Sequence, residues 1–140
     1  MIILDTDHLI EFEKGSSEAA ARLKSRLLAS GDDIATTIVS IEEVLRGWLA
    51  EIHRRTDPRL QISAYSHLDR FLDFVADWEV LPWNHTAVDQ FEALRLQKVR
   101  VATMDLKIAS IAISIGAKLV SRNLNDFQKV PGVDVEDWLS

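Results

Sequence analysis

The chain has 140 residues, 47% apolar and 27% charged, enough for one compact domain over residues 1–140 with an ordinary buried core. It has no cysteine, which excludes disulfides, zinc–thiolate centres and thiol nucleophiles and fits a reducing, cytoplasmic setting. The net charge of −6 argues against a protein that simply coats nucleic acid, and no apolar run has the length of a membrane span or the layout of a signal peptide.

In chain order, Ile2-Ile3-Leu4 reads as a very short buried strand, and a helix is expected after Asp7. A second helix covers roughly Glu18 to Ala29, with Ala19, Leu23 and Leu27 on one side. Ser30-Gly31-Asp32-Asp33 forms a turn, and Ile34 to Thr37 a second strand. Ser40 is expected to open a helix to about Ile52, with Ile41, Val44, Leu45 and Trp48 at helical spacing. Asp57-Pro58 breaks the chain. The next helix carries Leu68, Phe71, Leu72 and Val75 at i, i+3, i+4, i+7. Glu79 to Leu81 is a third strand, and Asn84 or Thr86 starts a helix with Val88, Phe91 and Leu94 inward. The segment from Thr103 to Ile115 is apolar on most sides and should be the most buried helix, ended by Gly116. Lys118 to Ser121 is a fourth strand, and Val133 to Val135 a weak edge strand. Alternating strands and helices predict an α/β fold with a mostly parallel sheet covered on both faces, where ligands bind beyond the carboxyl ends of the strands.

At those ends the sequence places acids. Asp5 follows the first strand directly, Glu43 sits early in the helix after the second, and Asp105 lies in the first turn of the buried helix. Asn123 and Asp126 follow the fourth strand. Several carboxylates brought to one edge repel one another unless a cation lies between them, and oxygen ligands without His or Cys select Mg²⁺ or Mn²⁺. Such a site hydrolyses phosphodiesters without a protein nucleophile. Structural roles compete with this one. Ser40-Ile41-Glu42-Glu43 fits a capping box, Asp105 complements a helix dipole behind a Thr103 cap, and Asn123 with Asp126 fits a cap pair. Asp5 has no such alternative.

Other features carry less. The four histidines, His8, His53, His67 and His85, lack metal-ligand spacing and read as surface or core residues, and the four tryptophans read as packing. No Gly-rich phosphate loop or partnered serine nucleophile is present. Arg95, Lys98, Arg100, Lys107, Lys118, Arg122 and Lys129 outnumber Asp105 and Asp126 between Ala93 and Val130, a surface that suits either a phosphate backbone or plain solvent.

Four segments resemble a known family. Ile3-Leu4-Asp5-Thr6-Asp7 looks like the hydrophobic-Asp-Thr-Asn/Asp opening of PIN domains. Ser40-Ile41-Glu42-Glu43-Val44-Leu45-Arg46-Gly47 resembles their S-x-x-E-x-x-x-G segment, and Asp105-Leu106-Lys107-Ile108-Ala109 their D-x-x-I-A helix start. Ser121-Arg122-Asn123-Leu124-Asn125-Asp126-Phe127 resembles their T-R-N-x-x-D-F segment. The matches run in the family's order across almost the whole chain, and its size is similar to that of VapC-type toxins.

The resemblance implies a three-layer α/β/α sandwich and Mg²⁺-dependent RNA cleavage (Mn²⁺ also serving) that leaves 5′-phosphate and 3′-hydroxyl ends. It also implies a cognate antitoxin whose tail covers the site, and a homodimer or a higher assembly with the antitoxin. Asp5, Glu43 and Asp105 match the acidic triad, with Asp5 and Asp105 as the metal ligands. The fourth polar position falls on Asn123, where some members carry Asp, and Asp126 is the alternative. Ser121 replaces the usual Thr, Asp7 the frequent Asn and Ala102 a frequent Gly; Ser121 and Asp7 are expected to support the ligands. Two other readings compete: a PIN-like module that binds RNA or antitoxin with little catalysis, and a haloacid-dehalogenase-like phosphotransferase, whose D-x-D start Asp5-Thr6-Asp7 resembles.

Overall fold

The computed structural model describes residues 1–140. Its strands are β1 (Ile2–Leu4), β2 (Ile34–Thr37), β3 (Glu79–Leu81), β4 (Lys118–Val120) and β5 (Asp134–Glu136). The helices are α1 (Thr6–Lys14), α2 (Glu18–Ser30), α3 (Ile38–Arg54), α4 (Ile62–Val75), α5 (His85–Leu96), α6 (Thr103–Ile115) and the single turn α7 (Leu124–Phe127). A 3₁₀ turn at Pro58–Gln61 leads into α4. All four strand pairings are parallel and the order is β3-β2-β1-β4-β5, so the sheet is wholly rather than mostly parallel.

This order fixes where a site can form. The chain builds outward from β1 through β2 to β3, then crosses back to lay β4 on the other side of β1. The connections leaving β1 and β4 therefore part at the centre of the sheet, the crevice where parallel α/β proteins take ligands. Leu4 pairs with Thr36 on one side and Val120 on the other, so three strand ends lie level there. The Thr36 hydroxyl also donates to the Leu4 carbonyl at 2.9 Å.

Successive side chains of a strand face opposite ways, and the two helical layers use that alternation. Ile3, Ala35 and Leu119 enter a core with Leu106, Ile108, Ala109 and Ile111 of α6 and Ala87 and Leu94 of α5. Ile2, Leu4 and Val120 face the other way, onto Leu9, Leu23, Leu27, Ile41, Val44 and Phe71 of α1 to α4. The expected α/β/α layering results, and α6 buries six residues, the most of any helix. Gly116 ends α6 with φ 64°, a left-handed turn that glycine adopts without strain.

Three expected details differ. Helix α1 starts at Thr6 rather than after Asp7, because Asp5 itself holds the N-cap position. Helix α3 starts at Ile38 because the Thr37 hydroxyl accepts from the Ser40 amide at 3.0 Å. In α4, Ala64 and Phe71 are buried whereas Leu72 is 50% exposed, lining one groove with Ile62 and Tyr65. The seven basic residues are also less free than their number suggests. Lys118 pairs with Glu136 at 2.5 Å and Lys129 with Asp126 at 3.3 Å, while Arg95 and Lys107 lie over the rings of Phe91 and Trp83. Lys98, Arg100 and Arg122 form no ion pair. Removing the cap by Thr37→Ala should cost about 1 kcal/mol of stability by chemical denaturation; Ser40→Ala, whose hydroxyl is not the cap, should cost less.

Candidate active site

Asp5 leaves β1 at the centre of the sheet, and the fold buries it to 5% exposure. An ionised carboxylate survives such burial only with donors around it. The Thr6 amide donates to Oδ1 at 2.7 Å, and the Ser121 hydroxyl, just past β4, donates to Oδ2 at 2.7 Å. Ser121 is itself held, because its Oγ accepts the Asn123 amide at 3.0 Å. Each Asp5 oxygen keeps a further lone pair for a ligand.

Glu43 has lost its structural alternative. With Thr37 as the cap, Glu43 lies a full turn inside α3, and its Oε1 accepts from the Thr6 hydroxyl at 3.0 Å instead of from the Ser40 amide. Asp105 keeps its place in the first turn of α6, where it complements the helix dipole, but the expected Thr103 cap is absent: the cap position falls on Ala102, with no side-chain bond, and Thr103 is already helical. The Asp105 carboxylate turns to Asn123, whose Nδ2 donates to Oδ2 at 2.8 Å.

The same amide nitrogen donates to Asp126 Oδ2 at 3.1 Å. Two carboxylates, one on each side, identify that atom as the nitrogen and use both of its hydrogens. Asn123 thus stands between Asp105 and Asp126, and an aspartate here would bring a like charge where a donor is needed. Asp126 lies at the rim, held below the usual carboxylate range by Asn123 and then by Lys129. Asp7 is turned aside: Oδ1 meets His8 Nδ1 at 2.6 Å and Oδ2 accepts the Arg122 amide at 3.1 Å.

The carboxylates sense one another. Burial, followed by the charge of Asp7, pushes Asp5 up to about 7, against the pull of Ser121 and Thr6. Glu43 and Asp105 are also raised, each by burial first. The Asp105 and Asp7 charges add to the rise at Glu43, and those of Asp126 and Asp7 to the rise at Asp105. No three acids close into a ready-made ligand nest. The donor chemistry nonetheless fits a hard divalent cation: the ligands are all oxygen, their ionisation is opposed by burial and by one another, and Glu43 Oε2 and Asp105 Oδ1 receive no hydrogen bond from the chain.

Comparison with known proteins bears on the same residues. The model of the PIN domain matches residues 2–133. The chain belongs to the PIN domain family. A curated relative, the tRNA(fMet)-specific endonuclease VapC of Salmonella typhimurium, is 33% identical over 46% of this chain. That match spans 52% of the relative, about half its length. Among solved structures, a chain of VapBC2 from Rickettsia felis bound to a promoter DNA fragment superposes with a TM-score of 0.72 at 24% identity, covering 99% of both chains. A chain of VapBC-5 from Mycobacterium tuberculosis superposes with a TM-score of 0.61 at 26% identity, covering 96% of this chain and 94% of that one. The PIN fold anticipated from the ordered motifs is therefore the fold of this chain, and no helix is long and apolar enough to cross a membrane.

Sequence reasoning missed two members of this constellation. Thr6 anchors Glu43, and its only signal was its place between two aspartates. His8 is a core residue, one of the two alternatives the sequence allows, but the engagement of both its ring nitrogens has no signal in the sequence. In Asp5 the folded carboxyl holds its proton up to about pH 7, whereas the unfolded one releases it near 3.8. Its contribution to stability is therefore complete in acid and is lost as the pH rises through 7, by up to about 4 kcal/mol. In metal-free buffer the melting temperature should fall between about pH 4 and about pH 7 and level off above, and Asp5→Asn should flatten that fall and stabilise the protein at the alkaline end. An unchanged slope in Asp5→Asn would contradict the desolvation of Asp5.

Proposed function

We propose that this PIN domain is a metal-dependent endoribonuclease, the VapC-like toxin of a toxin–antitoxin pair. One observation carries the reading. Three carboxylates from three separate segments are desolvated together at the topological switch point, held by Thr6 of the first segment and by Ser121 and Asn123 of a fourth. For stability alone this arrangement is costly, and such costs concentrate at functional sites.

Asp5 and Asp105 would hold the ion, with their outer lone pairs open to it. A bound Mg²⁺ or Mn²⁺ supplies Lewis acidity and a water of lowered pKa. Glu43, fixed by Thr6 and facing the Asp105 charge, orients a water or takes its proton. Ser121 keeps Asp5 in place, Asn123 keeps Asp105 in place, and Asp126 acts through the Asn123 amide rather than as a ligand. The unpaired cations Lys98, Arg100 and Arg122 supply charge for an RNA backbone. The exposed groove lined by Ile62, Tyr65 and Leu72 supports a protein partner, as contiguous exposed apolar residues mark protein contacts. An antitoxin is the partner that the VapBC relatives suggest. The phosphotransferase reading is disfavoured by the match of residues 2–133 to the PIN domain.

The test is cleavage of a defined RNA panel by the purified chain with Mg²⁺, with chelator and with added Mn²⁺. Products should appear only with metal, and Asp5→Ala and Asp105→Ala should reduce them to background while remaining folded by circular dichroism. RNA binding without metal-dependent product would favour the binding module instead. Asn123→Ala should lose about 10–100-fold in activity or metal affinity, and Asn123→Asp should do no better, because it replaces a donor with another charge.

A further inference from the structure

His8 is the one fully buried histidine, and nothing in the cleavage chemistry uses it. Its environment is specific. Nε2 lies 3.1 Å from the Trp138 backbone nitrogen and accepts its N–H, which leaves the ring proton on Nδ1. Nδ1 therefore donates to Asp7 Oδ1 at 2.6 Å. Asp7 Oδ2 receives the Arg122 amide at 3.1 Å. Arg122 lies between Ser121, which donates to Asp5, and Asn123, which donates to Asp105. A continuous path thus runs from the C-terminal segment through His8 and Asp7 to the loop that holds both proposed ligands.

Packing alone does not require a histidine here. A leucine fills such a space with no desolvation to offset, whereas an imidazole is tolerated only because both nitrogens are bonded. Asp7 gives the bond its consequence. Its charge raises Asp5, Glu43 and Asp105 alike, so its position sets part of the field on all three. Held by His8 and Arg122, it is fixed at the edge of the pocket and anchors the loop.

We propose that His8 is a positioning residue for the cleavage site: by clamping Asp7 it fixes the Ser121–Asn123 loop and hence the two ligand carboxylates. This inference rests on the nuclease reading, and its test separates the two. Two amide replacements divide the functions of the ring. His8→Asn keeps a donor near the Nδ1 position and loses the acceptor for Trp138. His8→Gln keeps an acceptor near the Nε2 position and loses the donor to Asp7. His8→Leu loses both, and Leu27→Ala, a core truncation in α2, controls for general destabilisation.

Amide hydrogen exchange provides a readout independent of metal and RNA. His8→Gln and His8→Leu should lose protection at Arg122 and keep their fold, whereas His8→Asn should lose it at Trp138. Mn²⁺ affinity, by calorimetry, and kcat on RNA should both follow Arg122, falling about 10–100-fold in the Gln and Leu variants and staying well above that in His8→Asn. The proposal is overturned if Arg122 protection survives in His8→Leu, or if affinity follows melting temperature across all four variants, including Leu27→Ala. A wild-type chain that cleaves no RNA would sink the nuclease reading, while the exchange and Mn²⁺ measurements would still decide the role of His8.

Discussion

The burial of one carboxylate at the end of the central strand organises this protein. Asp5 emerges where β1 lies between β2 and β4, and water is largely excluded there. A charge in that place needs donors, and they come from the next residue and from the far end of the chain, through Thr6 and Ser121. Those two residues then recruit the others. Thr6 fixes Glu43 with its hydroxyl, and Ser121 accepts the Asn123 amide, which sets Asn123 between Asp105 and Asp126. The bonds that make Asp5 tolerable thus draw the remaining acids together.

Such a site works against its own fold. Burial and mutual repulsion raise Asp5, Glu43 and Asp105 together, so their ionisation comes at the expense of the folded state. The two hydrophobic layers have to carry that load. Their division follows from the alternation of strand residues as short as Ile2-Ile3-Leu4, one facing α5 and α6 and its neighbours facing α1 to α4. The strain is local and the compensation is global, as expected where function rather than stability selects the residues.

Much of this was legible in the sequence because the signals were local. Short apolar runs gave β1 to β4 and placed β5 one residue early, the apolar circumference of Thr103–Ile115 gave the buried helix, and the four ordered motifs gave the PIN fold. The errors arose where two local signals competed. Thr37 and Ser40 both make good caps, and only the geometry of the strand exit decides for Thr37, a choice that also removes the capping role of Glu43. Leu72 fits the helical period as well as Phe71, yet the layer beneath α4 takes only one of them. Asn123 and Asp126 are partners rather than alternatives, because one amide nitrogen serves Asp105 and Asp126 at once. The roles of Thr6 and His8 depend on partners 37 and 130 residues away, separations that no window along the chain reveals.

The strand order has a further consequence, in time rather than in space. Asp5 is synthesised 116 residues ahead of its donor Ser121, and its partner strand β4 and Asn123 come comparably late. Pairing Leu4 with Val120 closes a loop of nearly the whole chain, and contacts of that span form late in folding. Until then the carboxylates stand apart in solvent, each with its ordinary acidity. The site is therefore assembled only once β4 has been made, and a nascent chain carries Asp5 and Glu43 long before it possesses the pocket itself.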